Sequence, residues 1–431
     1  MDSILRHGFA DFRDYVNPVI YKRAEFAREP IRFARVVDGR LELEDGRLVE
    51  DFHGTQAFGH RHPYIAECIR EFLASDHPNW FPSRINPFAG RLARRLCERS
   101  GHYSNVFFAC TGSDGVEAAL KLARAATRRP RLLALERAYH GCAVGSVSMM
   151  HTGPFTKPFE PLLADVTRLP FNDVDALAKA LAEGDVAALF VEPIQGEGGL
   201  RALSPAFIDA ACELTQRYGS LLVADEVQTG FGRSGAFLRT TEWPRRPDAV
   251  ILGKQLGGGL MPISALLSSR ALFERAYGND FEDGEAHNMT MGYNALGAVA
   301  ALAALDLLTH ELVESIAARG AHLLEALNRR LRESELFVEA RGSGFMLGLE
   351  LRQPDHPWLS FEQFGIPAWD GRPLIAPLLC ARLYRRGYYC FPCGHDWSVV
   401  RIQPRFSIED ETLQAFVSAV REELARIEEV A

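Results

Sequence analysis

The sequence predicts an α/β fold with a mostly parallel sheet and a second, smaller α+β domain. Between residues 105 and 310, short apolar runs rich in β-formers alternate with segments of helical period. This alternation is typical of βα units, and both ends of the chain lack it. We therefore expect a large domain over residues 61–310 and a small domain built from residues 1–60 and 311–431.

Six apolar segments rich in β-formers are predicted to be the strands of the large sheet. They are Asn105–Cys110, Arg131–Glu136, Ala188–Glu192, Leu221–Glu226, Ala249–Gly253 and Ile263–Ser268. Two helices are predicted between them. Asp114–Thr127 places its apolar residues on one face, and Pro205–Tyr218 follows a serine and has a proline at its first helical position.

The two chain ends follow a different pattern. Short strands and turns are predicted before residue 60, and a long amphipathic helix over Glu311–Glu333 opens the C-terminal part. Strands and a final helix from Glu409 complete it. Residues 353–372, rich in proline and tryptophan, are predicted to be a surface excursion.

Composition narrows the function classes. The 431 residues carry 48 basic and 56 acidic side chains, a net charge of −8, so nucleic acid is not an expected partner. The longest apolar tract, Ala295 to Leu305, is shorter than the roughly 18–20 residues that span a bilayer, and we expect no membrane association. The first residues mix charges of both signs and lack the apolar core of a secretory signal, which predicts a cytoplasmic protein.

Eight cysteines are spread along the chain without a repeating spacing, which is typical of reduced thiols. Cys390 and Cys393 form a CxxC pair with His395 just beyond it. A closed zinc site needs about four ligands, and no second pair lies nearby. Buried or strand-end thiols are therefore favoured over a metal or redox site, and no metal is predicted.

Two segments indicate chemistry at the ends of predicted strands. Asp225 ends an apolar strand and leads into a glycine-rich loop, and the carboxyl end of a buried strand is where open α/β sheets bind ligands. Lys254 follows an apolar run and precedes three glycines. Burial of an ammonium favours the neutral amine, which is a nucleophile towards aldehydes.

A third segment, Thr111-Gly112-Ser113, joins a predicted strand to a predicted helix. The free amides and positive dipole end of that helix, with two hydroxyls beside them, suit a phosphate. Taken singly, the three segments are better explained as an ordinary cap, a snorkelling lysine and a turn aspartate. Together they supply the phosphate cradle, amine and acid that pyridoxal 5'-phosphate (PLP) requires.

With these residues in place, the chain resembles the class III (ω-type) PLP-dependent aminotransferases of fold type I. Matching motifs run along nearly the whole chain. They are Asp45-Gly46-Arg47, Gly59-His60-Arg61-His62-Pro63, Tyr139-His140-Gly141, Glu192-Pro193-Ile194-Gln195-Gly196-Glu197, the Asp225 and Lys254 segments, Thr290-Met291-Gly292-Tyr293-Asn294 and Val400-Arg401-Ile402-Gln403-Pro404.

The resemblance assigns the catalytic pair and the phosphate site. Lys254 resembles the lysine that binds the cofactor's aldehyde and then moves a proton between the substrate's Cα and C4′ of the cofactor. Asp225 resembles the carboxylate that keeps the pyridine nitrogen protonated. Gly112 and Ser113 resemble the phosphate loop. Thr290 resembles the phosphate ligand that the neighbouring subunit supplies, so the resemblance implies a homodimer with its active site at the interface.

It also assigns the surroundings of the cofactor ring. Tyr139 corresponds to the aromatic residue stacked on the pyridine ring, with His140 beside it. Val227 would pack on the opposite face, and Gln228 would lie near the ring hydroxyl. Glu226 either orients this network or is a solvated glutamate.

The resemblance implies two substrates, an amine donor and a 2-oxo acid acceptor. Arg401 matches the arginine that binds the α-carboxylate, and Glu197 matches the glutamate that pairs with it when an amine is bound; a surface charge is the alternative for each. Trp80 and Phe81 lie in the region that lines the donor pocket in relatives.

Three residues depart from the pattern of relatives. Cys142 stands where relatives that use 2-oxoglutarate often have arginine, which leaves pyruvate or another monocarboxylate open. Arg405 replaces a proline and either offers a further carboxylate anchor or faces water. Met261 is inserted as in putrescine-type members, and this favours a terminal amine or diamine donor, although a methionine is also adaptable packing.

We therefore expect an enzyme that moves a terminal amino group from an amine, diamine or ω-amino acid to a 2-oxo acid by a ping-pong route. An amino-acid epimerase or aminomutase on the same fold would use the same lysine and aspartate. A non-catalytic ligand-binding module is the remote alternative, and the joint presence of Lys254, Asp225 and the phosphate loop argues against it.

Overall fold

A computed structural model describes residues 2–26, 33–83, 85–151, 153, 155–278, 281–356, 359–363, 365–366, 369 and 371–429. Residues 357–358, 364, 367–368 and 370 of the predicted surface excursion lie outside these described residues.

The strands are β1 Phe33–Val37, β2 Arg40–Leu43, β3 Leu48–Asp51, β4 Asn105–Ala109, β5 Arg131–Leu135, β6 Val166–Leu169, β7 Val186–Val191, β8 Ile194–Gln195, β9 Arg201–Ala202, β10 Leu221–Asp225, β11 Ala249–Leu252, β12 Ser264–Ser268, β13 Phe337–Ser343, β14 Met346–Leu351, β15 Tyr388–Tyr389, β16 Phe391–Pro392 and β17 Val399–Ile402. The helices are α1 Asp2–Asp11, α2 Pro18–Phe26, α3 Pro63–Leu73, α4 Pro87–Ser100, α5 Gly112–Thr127, α6 Val144–Ser148, α7 Val174–Ala182, α8 Pro205–Tyr218, α9 Arg270–Tyr277, α10 Phe281–Glu285, α11 Ala295–Leu307, α12 His310–Leu331, α13 Ile375–Arg385 and α14 Asp410–Glu428. A short π-helix, Phe12–Val16, joins α1 to α2.

The large sheet has the strand order β4-β12-β11-β10-β7-β5-β6. Strand β12 runs antiparallel to both of its neighbours, and the other pairs are parallel. Strands β7, β10 and β11 are buried along their whole length, as expected for a sheet covered by helices on both faces. The predicted α/β class is confirmed, and the carboxyl ends of β4, β5, β7, β10 and β11 lie along one edge.

Strands from the two chain ends pair with each other. The sheet β1-β2-β3-β15 joins three N-terminal strands to a C-terminal one, with β15 parallel to β3. A second four-stranded sheet, β13-β14-β17-β16, carries Arg401 on β17. The predicted boundaries of the two domains stay a prediction.

The predicted strands of the large sheet correspond to β4, β5, β7, β10, β11 and β12, while β6 was not predicted. Helix α5 begins at Gly112, two residues before its predicted start, because Thr111 and Asp114 form a capping box. The prediction of strands and turns before residue 60 was wrong for the first part of the chain. Helices α1 and α2 occupy it, and the strands β1–β3 follow them.

Among the described residues, no single helix has both the length and the hydropathy needed to cross a membrane. Helices α11 and α12 together have the required length and hydropathy, but they are bent by 69° at their junction. Most of α11 lies in the hydrophobic core.

Candidate active site

Five chain segments meet at the carboxyl edge of the large sheet. Strand β10 ends on Asp225, β11 leads through Gly253 to Lys254, and β7 is followed directly by Glu192. Strand β5 leads to the loop of Tyr139, and β4 leads to Gly112 at the start of α5. Sequence positions more than a hundred residues apart are thus brought to the place where open α/β sheets bind ligands.

Lys254 begins a short 3-10 helix and has a left-handed backbone, with φ of 41°. Its ammonium makes no hydrogen bond or ion pair with any residue that the structure describes. Burial lowers the pKa of Lys254, and the nearby charges of Glu197 and Asp225 oppose this effect. The result is an unengaged amine that loses its proton more readily than an exposed lysine.

Asp225 is buried, with 5% of its surface exposed. Its Oδ2 lies 2.8 Å from His140 Nδ1, and its Oδ1 accepts a hydrogen bond of 3.1 Å from the Val227 amide. Burial alone would lower the pKa of His140, but the hydrogen bond and charge of Asp225 raise it on balance. The pair therefore holds a carboxylate in a fixed orientation at the end of β10.

The first turn of α5 is open to a ligand. Thr111 Oγ1 accepts from the Asp114 amide, whereas the amides of Gly112 and Ser113 have no acceptor among the described residues. Ser113 Oγ accepts from the Cys142 amide at 2.9 Å. These amides and the positive end of the helix dipole make a site for an anion such as phosphate.

Two glycines flank Val227 at close range. A Cβ on Gly112 would lie 2.9 Å from Val227 Cγ1, and a Cβ on Gly253 would lie 3.2 Å from the same atom. A side chain at position 112 would force Val227 to move, and one at position 253 would be in tight contact with it. Val227 is therefore held between the start of α5 and the residue before Lys254.

Glu192 is a buried carboxylate to which sequence analysis assigned no role. Its Oε1 accepts from the Tyr139 amide at 2.9 Å, and its Oε2 accepts from the Gly196 amide at 3.0 Å. The pKa of Glu192 is raised to about 7, chiefly by burial and also by the charge of Asp225, while the charge of His140 and the two amides oppose the rise. Glu192 thus links the loop of Tyr139 and His140 to the loop that carries Glu197.

Arg401 and Glu197 form an ion pair in this structure. Arg401 NH1 donates to Glu197 Oε1 at 2.5 Å, and the Gly394 amide donates to Glu197 Oε2 at 2.7 Å. Burial raises the pKa of Glu197, but the charge of Arg401 and the amide of Gly394 lower it on balance. Arg401 Nε is buried and has no hydrogen-bond partner among the described residues.

His53 is a second group that the sequence did not single out. Burial lowers the pKa of His53, and the charges of Arg401 and Lys254 lower it further. The charges of Asp51 and Glu197 oppose this shift. Its ring packs against Phe391 at 5.2 Å between centroids.

Other predicted site residues lie in different surroundings. Gln228 is buried, and its Oε1 occupies the space above Gly196. Trp80 and Thr290 are both exposed, and Trp80 Nε1 donates to the Thr290 carbonyl at 2.9 Å. Phe81 is half-buried. No hydrogen bond or ion pair within the described part of the chain joins Trp80, Phe81 or Thr290 to Lys254 or Asp225.

Arg405 does not face water, and that alternative was wrong. Its Nε and NH2 donate to the two oxygens of Glu50 at 3.1 and 3.2 Å, and NH1 donates to the Ser407 carbonyl at 2.9 Å. NH2 also reaches Glu409 Oε2 at 2.9 Å. Each of its three nitrogens is engaged within the protein, so Arg405 has no free donor to anchor a substrate carboxylate.

Glu226 is fully buried, so the alternative of a solvated glutamate was also wrong. It accepts hydrogen bonds from the Arg239 amide at 2.7 Å, the Thr240 amide at 2.9 Å and two threonine hydroxyls. Burial raises its pKa on balance. Its role here is to hold the loop that follows Asp225.

Cys390 and Cys393 are both buried, and burial raises the pKa of each thiol. Within the described ranges, no group of three or more histidine, cysteine or acidic side chains is placed to hold a metal ion.

The donor set fits PLP. An unengaged amine at Lys254, an oriented carboxylate at Asp225 and free amides at Gly112 and Ser113 match an aldehyde, a pyridinium and a phosphate. Val227 is a steric wedge between Gly112 and Gly253, and these close contacts fix the position of its side chain.

Comparisons with known proteins agree with this fit. The class III aminotransferase family model matches residues 24–424. Aminotransferase PigE of Serratia sp. (strain ATCC 39006) is 33% identical over 349 residues, which is 79% of this chain and 41% of that protein. The chain therefore spans about two fifths of the length of this curated relative.

Solved structures show the same fold over nearly the whole chain. The ornithine aminotransferase from Toxoplasma gondii ME49 has a TM-score of 0.85 at 25% identity, over 99% of this chain and 96% of its own. An amine transaminase from an uncultivated Pseudomonas species, in its PLP-bound form, has a TM-score of 0.81 at 27% identity, over 92% and 95% of the two chains. The chain belongs to the class III aminotransferases, PLP-dependent enzymes of fold type I that transfer an amino group from an amine donor to an oxo-acid acceptor.

Proposed function

We propose that this chain is an aminotransferase that moves a terminal amino group from an amine, diamine or ω-amino acid to a 2-oxo acid. Donor and acceptor would use one site in turn, in a ping-pong sequence. The observation that carries the proposal is the meeting of the unengaged Lys254 amine with the Asp225 carboxylate and the open first turn of α5.

Each end of the cofactor would have its own protein partner. The amides of Gly112 and Ser113 would hold the phosphate, and Tyr139 and Val227 would cover the two ring faces. Asp225 would hold the pyridine nitrogen, oriented by its hydrogen bond to His140. Gln228 would lie near the ring hydroxyl. When bound, PLP supplies an electron sink for the carbanion that forms when the substrate loses a proton.

Lys254 would act as the base and acid of the reaction. Burial lowers the pKa of Lys254, which favours the neutral amine, and the neutral Nζ can accept a proton from the donor's carbon and later return it. Lys254 directly follows Gly253 at the end of β11, and this places its amine near Asp225 at the carboxyl edge of the sheet. The short 3-10 helix fixes the backbone that carries it.

Arg401 and Glu197 would let one pocket accept two kinds of substrate. With the ion pair closed, as here, the charge of Arg401 is neutralised and an amine without a nearby carboxylate fits. An α-carboxylate would displace Glu197 and take the guanidinium. The amide of Gly394 would keep Glu197 in place in the closed state.

The site would be completed by a second copy of the chain. Trp80 and Thr290 are exposed and hydrogen-bonded to each other, away from their own Lys254. In a homodimer, Thr290 of one copy would contribute to the phosphate site of the other. Trp80 and Phe81 would reach the donor pocket in the same way.

The test is a visible spectrum of the protein with added PLP, recorded before and after diamines, ω-amino acids and α-amino acids without an acceptor. We expect one donor class to abolish the visible band and a 2-oxo acid to restore it. A band that no amine removes, with turnover that needs no oxo acid, would instead indicate an epimerase or aminomutase. Failure to form any band would contradict the cofactor roles of Lys254 and Asp225.

A further inference from the structure

A small cavity lies beside the Glu197–Arg401 pair. Its volume is about 230 Å³, and the side chains of His151, Phe155, Arg372, His395 and Trp397 line it. Complete ligand pockets occupy roughly 300–1,000 Å³, so this one suits the end of a substrate more than a whole ligand.

The wall of the cavity contacts two residues of the candidate active site, Glu197 and Tyr139. The Gly394 amide, in its wall, donates to Glu197 Oε2 at 2.7 Å, and the His395 amide donates to the Glu197 carbonyl at 3.0 Å. The ring of His395 lies 6.0 Å from that of Tyr139. The cavity therefore adjoins the Glu197–Arg401 pair.

Its lining carries one permanent charge. The guanidinium of Arg372 is stacked on the Trp397 ring, 4.7 Å from the ring centroid, and forms no ion pair with any described carboxylate. Burial lowers the pKa of both His151 and His395, so these rings are neutral near pH 7. None of the described side chains that line the cavity is acidic. A cation that has no counter-ion among the described residues, in a partly apolar pocket, fits an anionic group.

Arg372 can bind a substrate carboxylate while Arg401 is paired with Glu197. In the closed pair, Glu197 neutralises the charge of Arg401. A substrate whose carboxylate is several carbons from its reacting carbon cannot use Arg401 in that state. Arg372 then offers the free guanidinium in the adjoining cavity.

We propose that this cavity is a subsite for a carboxylate remote from the reacting carbon, with Arg372 as its ligand and Trp397 as the support that holds Arg372. The proposal rests on the aminotransferase function proposed above and narrows its substrate class. Two sources share this chemistry: an ω-amino acid donor and a dicarboxylic 2-oxo acid acceptor.

The experiment compares matched substrates that differ only at the far end. The donor pair is 5-aminopentanoate and pentylamine, and the acceptor pair is 2-oxoglutarate and 2-oxopentanoate. For the PLP-loaded enzyme, we expect that, in one of the two pairs, the member with a carboxylate at its far end has the higher kcat/KM. If this is the donor pair, the subsite binds an ω-amino acid; if it is the acceptor pair, the subsite binds a dicarboxylic 2-oxo acid. Arg372→Met should lower that kcat/KM about tenfold or more and leave the methyl-ended member within about twofold. Arg421→Met, on the exposed face of α14, is the matched control and should change neither.

A measurement without turnover separates this proposal from the proposed function. Glutarate should raise Tm more than pentanoate does, and Arg372→Met should remove this difference. If the enzyme transaminates but shows no preference in either pair, or if Arg372→Met affects both members equally, the subsite is refuted and the function stands. If glutarate discriminates through Arg372 while no substrate is transaminated, the subsite stands and the function is refuted.

Discussion

Among single side chains, Lys254 is the one on which the proposed chemistry depends most. Lys254→Ala removes the amine that would accept and return the proton, so we expect kcat to fall by at least about a thousandfold. The visible band formed with PLP should be lost as well. Lys179→Ala, on the exposed side of α7, is the control and should leave both unchanged. Substantial turnover in Lys254→Ala with an unchanged spectrum would contradict the assignment.

Glu192 predicts a pH dependence of stability. The unfolded chain releases this proton near pH 4.5, whereas the folded chain keeps it until about pH 7. Folding therefore becomes less favourable as pH rises across this interval. Glu192→Gln cannot titrate and does not lose this stability. As pH rises from 4.5 to 7, the free energy of unfolding of Glu192→Gln minus that of wild type should therefore increase by up to about 3 kcal/mol. Urea unfolding at pH 5 and pH 7.5 measures it, with exposed Glu213→Gln as the control. Parallel pH profiles of wild type and Glu192→Gln would refute the shift.

The sequence located Lys254 and Asp225 because each follows an apolar strand, and such a pattern is visible locally. It did not reveal the role of Glu192, whose partners are backbone amides on two loops. It also misjudged Arg405, because its partner Glu50 is 355 residues away. Contacts of this kind depend on the folded chain and leave no local signature.

At the scale of elements, the Arg405–Glu50 pair joins strand β3 to the segment after β17. Both side chains are buried, at 6% exposure each. Arg405→Met would leave Glu50 without its main partner, with only Arg40 Nε at 3.9 Å. We expect a loss of about 3 kcal/mol in the free energy of unfolding.

The matched control for Arg405→Met is Arg94→Met, which breaks the exposed pair with Glu98 and should cost less than about 1 kcal/mol. Adding Glu50→Gln to Arg405→Met should recover part of the loss, since no buried charge is then left unpaired. Equal losses of free energy of unfolding in Arg405→Met and Arg94→Met would show that the buried pair contributes no more to stability than an exposed one.

Elements with a strong local pattern were predicted well. Helix α8 has the predicted bounds because Ser204 caps it and Pro205 occupies its first position. Strand β6 was missed because it is only four residues long, with an arginine and a threonine in its sequence. Helices α1 and α2 were missed because exposed apolar residues, such as Ile4 in α1 and Val19 in α2, obscure any amphipathic pattern there.

At the scale of the whole molecule, the proposed dimer predicts that cofactor binding depends on assembly. If Thr290 completes the phosphate site of the partner copy, Thr290→Val should weaken PLP binding about tenfold. Dilution that dissociates the dimer should weaken binding of wild type to a similar extent. Sedimentation velocity and PLP titration over the same range of protein concentration measure both. A wild-type monomer with undiminished PLP affinity would refute the shared site.

The steric wedge at Val227 has a consequence for how the site can change. Positions 112, 227 and 253 share one small volume, since the Cβ sites of both glycines lie within 3.2 Å of Val227 Cγ1. In a library randomised at these three codons and selected for activity, alanine at 112 or 253 should survive only alongside a smaller residue at 227. The order of replacement would then be fixed, because residue 227 must become smaller before position 112 or 253 can gain a side chain.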